Sequence, residues 1–303
     1  MREFIFKTVL FTGMTLLLFL GLILFVPVRS NDYFQTYNLK CRLLEETGSP
    51  RVVFVGGSNL AFGLDCQSIK DSLGINVVNS GLHAGVGLKY ILDDVEAYLR
   101  QGDIVVIAPE YEHFYNPYGE AATIAPIQSV CGWKKLHLLN FVQMKNVITG
   151  LPRIIMHTLP KPHNERRYVL SGFNEYGDEV KHWQLGSIAI PRPSPIKGVF
   201  DRTFGEYFVK KISLFKNKGC TVLVIPPVCR ETAYEVKQEN IEEICSFLKE
   251  QGLPFGVSPK VHALPDDCAY DTDYHMTYEG VKKFSSSIVE ILRPIIGNSE
   301  SAE

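Results

Sequence analysis

Short apolar, β-branched runs alternate with stretches of helical periodicity along most of this chain. Residues 51–55 read as a buried strand that ends in Gly56-Gly57, a turn toward a helix. Residues 75–78 give a second strand, closed by Asn79-Ser80-Gly81, and residues 103–108 a third, too rich in Val and Ile for a surface helix. Between them Ile91, Leu92, Val95, Tyr98 and Leu99 recur at helical spacing, with Asp93, Asp94, Glu96 and Arg100 on the other side. The alternation returns near the end: a helix over 200–218, a strand over 220–225 stopped by Pro226-Pro227, a helix over 232–251, and a last helix over 278–292. Strands separated by helices predict a mostly parallel sheet with helices on both faces, whose ligands sit beyond the carboxyl ends of the strands.

Two segments stand outside that rhythm. Residues 8–28 are almost uninterruptedly apolar and carry no charge, about the 20-residue length that crosses a bilayer as a helix. Arg2 and Lys7 precede the stretch and Arg29 follows it, a slight bias toward an inside amino terminus. Val26-Pro27-Val28 lacks the small residues of a signal-peptidase site. The expectation is an uncleaved single-pass anchor in the cytoplasmic membrane, with the rest of the chain extracytoplasmic. The second segment, 111–196, carries eight prolines and many aromatics and is read as an insertion capping the active face, with some helix over 136–148. The predicted organisation is therefore an anchor over 1–29, a polar connector over 30–50, one α/β domain over 51–297, and a disordered tail over 298–303.

Charge changes little in this picture. Lys plus Arg (31) nearly balances Asp plus Glu (33) in 303 residues, without a basic block, which disfavours a nucleic-acid partner. The seven cysteines show neither a C-x-x-C pair nor zinc spacing, and the chemistry read below implies no metal or cofactor.

Candidate chemistry lies at two places. Gly56-Gly57-Ser58-Asn59 follows a buried strand directly, so a small hydroxyl is presented at the ligand edge among backbone N–H groups. Ser58 is either a nucleophile there or a helix N-cap; neither G-x-G-x-x-G nor a P-loop ending is present. Asp271-Thr272-Asp273-Tyr274-His275, just ahead of the last helix, supplies a base and a carboxylate to orient it, the two partners that a serine nucleophile needs.

Together these residues resemble the SGNH (GDSL-like) hydrolase superfamily. Ser58 in Val55-Gly56-Gly57-Ser58-Asn59-Leu60 is similar to its nucleophile block, Gly81 in Asn79-Ser80-Gly81 to its oxyanion-hole glycine, and His275 to its terminal base. The resemblance implies a flavodoxin-like sheet and acyl transfer through Ser58 and His275, with the N–H groups of Ser58 and Gly81 as oxyanion donors. Asp271 is preferred as the orienting acid, with Asp273 the alternate. After the third strand, Pro109-Glu110-Tyr111-Glu112-His113 stands where the family has an Asn. With an amino-terminal anchor the resemblance points to bacterial enzymes that add or remove acyl groups, typically acetyl, on cell-surface polysaccharides or wall polymers. It implies a carbohydrate polymer or an acyl donor as substrate and leaves any membrane partner in acyl transfer unidentified. Tyr115, Tyr118, Trp133, Tyr168, Phe173, Tyr176 and Trp183 in the insertion either stack on sugars or close the insertion's own core. The rival reading is a non-catalytic carbohydrate-binding or assembly protein on the same scaffold.

Overall fold

The computed structural model describes residues 1–25, 32–120, 122, 132–158 and 168–300. Helix α1 (Arg2–Phe25) is followed by α2 (Thr36–Glu46) and strand β1 (Arg51–Gly56). Then come α3 (Ser58–Ala61), α4 (Cys66–Leu73), β2 (Asn76–Asn79), α5 (Leu88–Val95) and β3 (Ile104–Ala108). After α6 (Phe141–Thr158) the chain forms α7 (Arg202–Asn217), β4 (Thr221–Val224) and β5 (Cys229–Arg230). Helices α8 (Glu231–Val236) and α9 (Gln238–Glu250), strand β6 (Ala263–Leu264) and α10 (Tyr278–Glu300) complete it.

Four parallel strands lie in the order β2-β1-β3-β4, and β5 and β6 pair separately. Every residue of β1 and β3 is buried, as expected of parallel strands covered on both faces. The period-2 alternation divides their side chains. Val53, Val55, Val105 and Ile107 join a core with Tyr37 and Leu44 of α2, Tyr90 of α5, Phe208 and Phe215 of α7 and Ile244 of α9. Val52, Phe54 and Val106 join another with Leu60, Ile69 of α4, and Phe284 and Ile288 of α10. From β1 the chain runs first to β2 on one side and then to β3 on the other, so the order reverses between β1 and β3, where crevices for ligands form. Gly56 and Ala108 are register partners at that edge.

Several expectations need correction. Among the described residues no helix is long and apolar enough to cross a membrane, which overturns the transmembrane helix over 8–28 and, with it, the membrane partner and the single-pass localisation. Arg2, Glu3 and Lys7 occupy the first two turns of α1, so its charge-free part covers only 8–25, and residues 26–28 of the expected span lie outside the described residues. The connector is not merely polar: Tyr37, Cys41 and Leu44 repeat at helical spacing and seat α2 in the core. The single helix expected over 232–251 is two, interrupted at Lys237, whose amine meets Glu112 at 2.6 Å and Asp273 at 2.9 Å. Helix α10 continues past Leu292 to Glu300, and residues 301–303 lie outside the described residues. In the insertion, helix appears as α6 and as 3₁₀ segments Tyr111–Phe114, Gly132–Leu138, Leu170–Gly172 and Lys181–Gln184, while 121, 123–131 and 159–167 lie outside the described residues.

The first residue of β1 anchors the opposite edge of the sheet. The Arg51 guanidinium is fully buried against Asp103 at 3.3 Å and donates to the carbonyls of Leu44, Thr47 and Tyr98, tying the end of α2 and the turn after α5 to the sheet. Removing one partner of a buried pair leaves the other charge uncompensated, at a cost of about 3–5 kcal/mol. Arg51→Met should therefore lower the urea midpoint by that equivalent; a midpoint unchanged within error would show that the pair contributes nothing net.

Candidate active site

Ser58 is half-buried and opens α3 at the carboxyl end of β1. The short helix is fixed from beneath: Asn59 Nδ2 donates to the Ala108 carbonyl at 3.1 Å, and Phe62 N to the Ser58 carbonyl at 2.9 Å. The Ser58 hydroxyl donates to Oε1 of Glu110 at 3.2 Å, and the same oxygen accepts the Asn59 N–H at 3.1 Å. Glu110 follows β3, the neighbour of β1, and is 6% exposed. Burial, then the adjacent Glu112, push its carboxyl above the usual carboxylate range, against the Asn59 N–H, the charge of His275 and the Ser58 hydroxyl, which lower it.

Gly57 is required by this approach rather than by its ordinary φ of −84°. A Cβ there would stand 2.4 Å from Glu110 Oε1 and 3.1 Å from His113 Cε1. His113 is buried, and burial pushes its imidazole down to about 4, so it is neutral over the physiological range.

His275 sits on a loop shaped by Thr272, whose Oγ1 accepts from the backbone N–H of His275 at 3.0 Å and of Tyr274 at 3.2 Å. Its Nδ1 lies 2.8 Å from Asp271 Oδ1, which sets the tautomer with the proton on Nδ1 and leaves Nε2 as the acceptor. The Tyr168 hydroxyl donates to the other Asp271 oxygen. The imidazole stacks on Phe62, centroids 4.1 Å apart and planes at 16°. Phe62 thus joins the helix that begins with Ser58 to the His275 loop, a link reinforced by the Met276 N–H on the Phe62 carbonyl at 3.3 Å. Asp273 is engaged elsewhere, with Arg230 at 2.8 Å and Lys237 at 2.9 Å.

Ser58, Phe62 and the Asp271–His275 pair are therefore brought together, yet among the described residues no hydrogen bond joins Ser58 Oγ to His275; the hydroxyl points to Glu110. Gly81 packs beside the turn, where a Cβ would meet the Gly57 carbonyl at 2.8 Å. Its N–H donates to Asn79 Oδ1 at 3.0 Å. The Gly81 carbonyl accepts from the buried Lys40 amine, which also reaches the Gly177 carbonyl at 3.0 Å; burial brings that amine down to about 7.

Tyr33 closes the site from above, its ring centroid within 6.3 Å of those of Phe62, His83, Tyr168 and Phe173. Of the insertion's aromatics, Tyr168 and Phe173 line this region. Trp183 stacks on Tyr278 at 4.8 Å, Tyr176 hydrogen-bonds Gln67 at 2.7 Å, and the side chain of Trp133 lies outside the described residues. Sequence reasoning missed Glu110, Phe62 and Tyr33 as site residues. Glu110 carried a signal, since it follows the end of β3, the strand next to β1, at the ligand edge. Among the described residues no group of three or more His, Cys, Asp or Glu side chains is placed to hold a metal ion.

No family model matches the chain, no curated protein matches it, and no solved structure matches it. The expected membership of the SGNH superfamily, which rested on the order of short motifs and on an anchored architecture, therefore does not stand. The chain is an α/β protein with a parallel sheet and with a serine, a carboxylate-bound histidine and a buried glutamic acid near its switch point.

Proposed function

We propose that the chain is a serine-dependent acyl esterase or O-acyltransferase, with Ser58 as nucleophile and His275 as base. The observation that carries the reading is the Asp271–His275 pair at 2.8 Å, stacked on the residue that closes the Ser58 turn. A base so held has its acceptor nitrogen free, and a serine at the open first turn of a helix has its own N–H unclaimed by the helical ladder.

In the proposed reaction the Ser58 Oγ–H bond breaks as its proton passes to His275 Nε2 and Oγ bonds the acyl carbon, sending the carbonyl electron pair onto oxygen. The Ser58 N–H, at the first turn of α3, supports that oxyanion; Gly81 joins it on exchanging its Asn79 partner. Collapse expels the alcohol, which takes the proton from His275. A water or a second hydroxyl then repeats the sequence on the acyl-serine, giving hydrolysis or transfer respectively.

The test is labelling with a fluorophosphonate, located by peptide mass spectrometry. The wild-type chain should carry one label on Ser58, and Ser58→Ala none. Label at another residue, or equal label in both chains, would remove Ser58 as nucleophile.

A further inference from the structure

The Glu110 carboxyl lies directly beside the proposed nucleophile: a single oxygen takes both the Ser58 hydroxyl and the Asn59 N–H of the first turn of α3. We propose, on the basis of the serine reading above, that Glu110 is a catalytic residue acting in its neutral form, donating its O–H to the oxyanion, and that its ionised form holds the enzyme inactive.

Three features support this. First, an ionised carboxylate at that position opposes a second negative charge close by, whereas a neutral acid protonated on Oε2 offers a donor while Oε1 still accepts from Asn59. Second, ionised Glu110 is the stronger acceptor for the Ser58 hydroxyl and so retains the proton that His275 must receive; neutralisation frees the nucleophile and installs the donor together. Third, the surroundings favour the neutral acid. Glu110 is buried, Gly57 admits it only for want of a Cβ, and the groups facing it are Glu112 and a neutral His113 from its own turn, Tyr274 and His275 from the loop before α10, and Tyr33 from above. Burial and Glu112 raise its pKa, so the proton is retained to higher pH than on an ordinary glutamate. No proton is transferred in this role: the Glu110 O–H stays bonded and only its hydrogen bond strengthens as charge develops.

The sign of the pH dependence follows. Activity should fall as Glu110 loses its proton, giving the kcat/KM profile a falling limb that belongs to Glu110. The experiment records that profile on the full chain with p-nitrophenyl acetate for wild type, Glu110→Gln and Glu110→Ala, with fluorophosphonate labelling of Ser58 in parallel. Removing the donor in Glu110→Ala should cost about 10²–10³-fold. Glu110→Gln keeps a donor and an acceptor in the same space; it should recover most of that loss and show no falling limb. A Gln variant as slow as the Ala variant would mean that the carboxylate itself is needed. A falling limb that survives in Gln would assign it to another group, and wild-type rates in both variants would remove Glu110 from catalysis; each of these overturns the proposal. Because Gln is isosteric, its pH profile decides the matter even where Ala perturbs folding. Wild type that takes no label on Ser58 would sink the serine reading and this one together; label on Ser58 with any of the contrary Glu110 results sinks this one alone.

Discussion

Ser58→Ala should lower kcat for a small acetyl ester by on the order of 10⁶-fold, the scale on which removal of a nucleophile acts when nucleophile and base work as one unit. The expected stability change is small. Ser58 is half-buried, and its hydroxyl has Glu110 as partner, whose Oε1 keeps the Asn59 N–H when the hydroxyl is gone. His275 is a different case, because its side chain is buried and its ring stacks on Phe62. His275→Gln is therefore the cleaner partner variant, and the double variant should be barely slower than either single one. Turnover by Ser58→Ala within tenfold of wild type, in a protein that melts like wild type, would contradict the assignment.

Asp271→Asn should lower turnover by about 10⁴-fold with the fold intact, since an amide in place of the carboxylate favours the wrong imidazole tautomer. The pairing at 2.8 Å predicts this for Asp271, and the Arg230 and Lys237 contacts predict the opposite pattern for Asp273. Asp273→Asn weakens two charge-assisted hydrogen bonds that hold the loop to β5 and to the break between α8 and α9, so it should lower thermal stability while leaving kcat near wild type. Steady-state kinetics and melting curves on the two variants separate these patterns. Loss of turnover in Asp273→Asn with a near-normal Asp271→Asn would exchange the roles.

The strands were readable because parallel strands buried on both faces leave unbroken apolar runs, as in 51–55 and 103–108. Ser58 was placed at the ligand edge because it follows β1 directly, and His275 was placed just ahead of the last helix, α10. The choice between Asp271 and Asp273 was not decidable by spacing, since both acids lie within four residues of His275. It turns on Arg230 and Lys237, far away in sequence, which draw Asp273 off. Glu110 went unread because a lone glutamate after a strand looks like a turn residue until Gly57 and the Asn59 N–H are seen to receive it. Helix α2 was hidden by Lys40, a polar residue buried only because the carbonyls of Asn79, Gly81 and Gly177 converge on it. Hydropathy over 8–28 misled in the other direction, since apolar length alone does not make a described membrane-spanning helix. The cell-surface polymer inferred as substrate leaned on that anchor, which leaves the acceptor as a hydroxyl of unspecified parentage.

The proposed reaction passes through a covalent acyl-serine, and that species can be trapped. Rapid acid quench of the chain during turnover of p-nitrophenyl acetate, followed by peptide mass spectrometry, should find one acetyl group on the peptide containing Ser58, and none in Ser58→Ala. Turnover that depends on Asp271 and His275 while no acyl group ever appears on Ser58 under single-turnover quench, or an acyl group found on a different residue, would contradict the account.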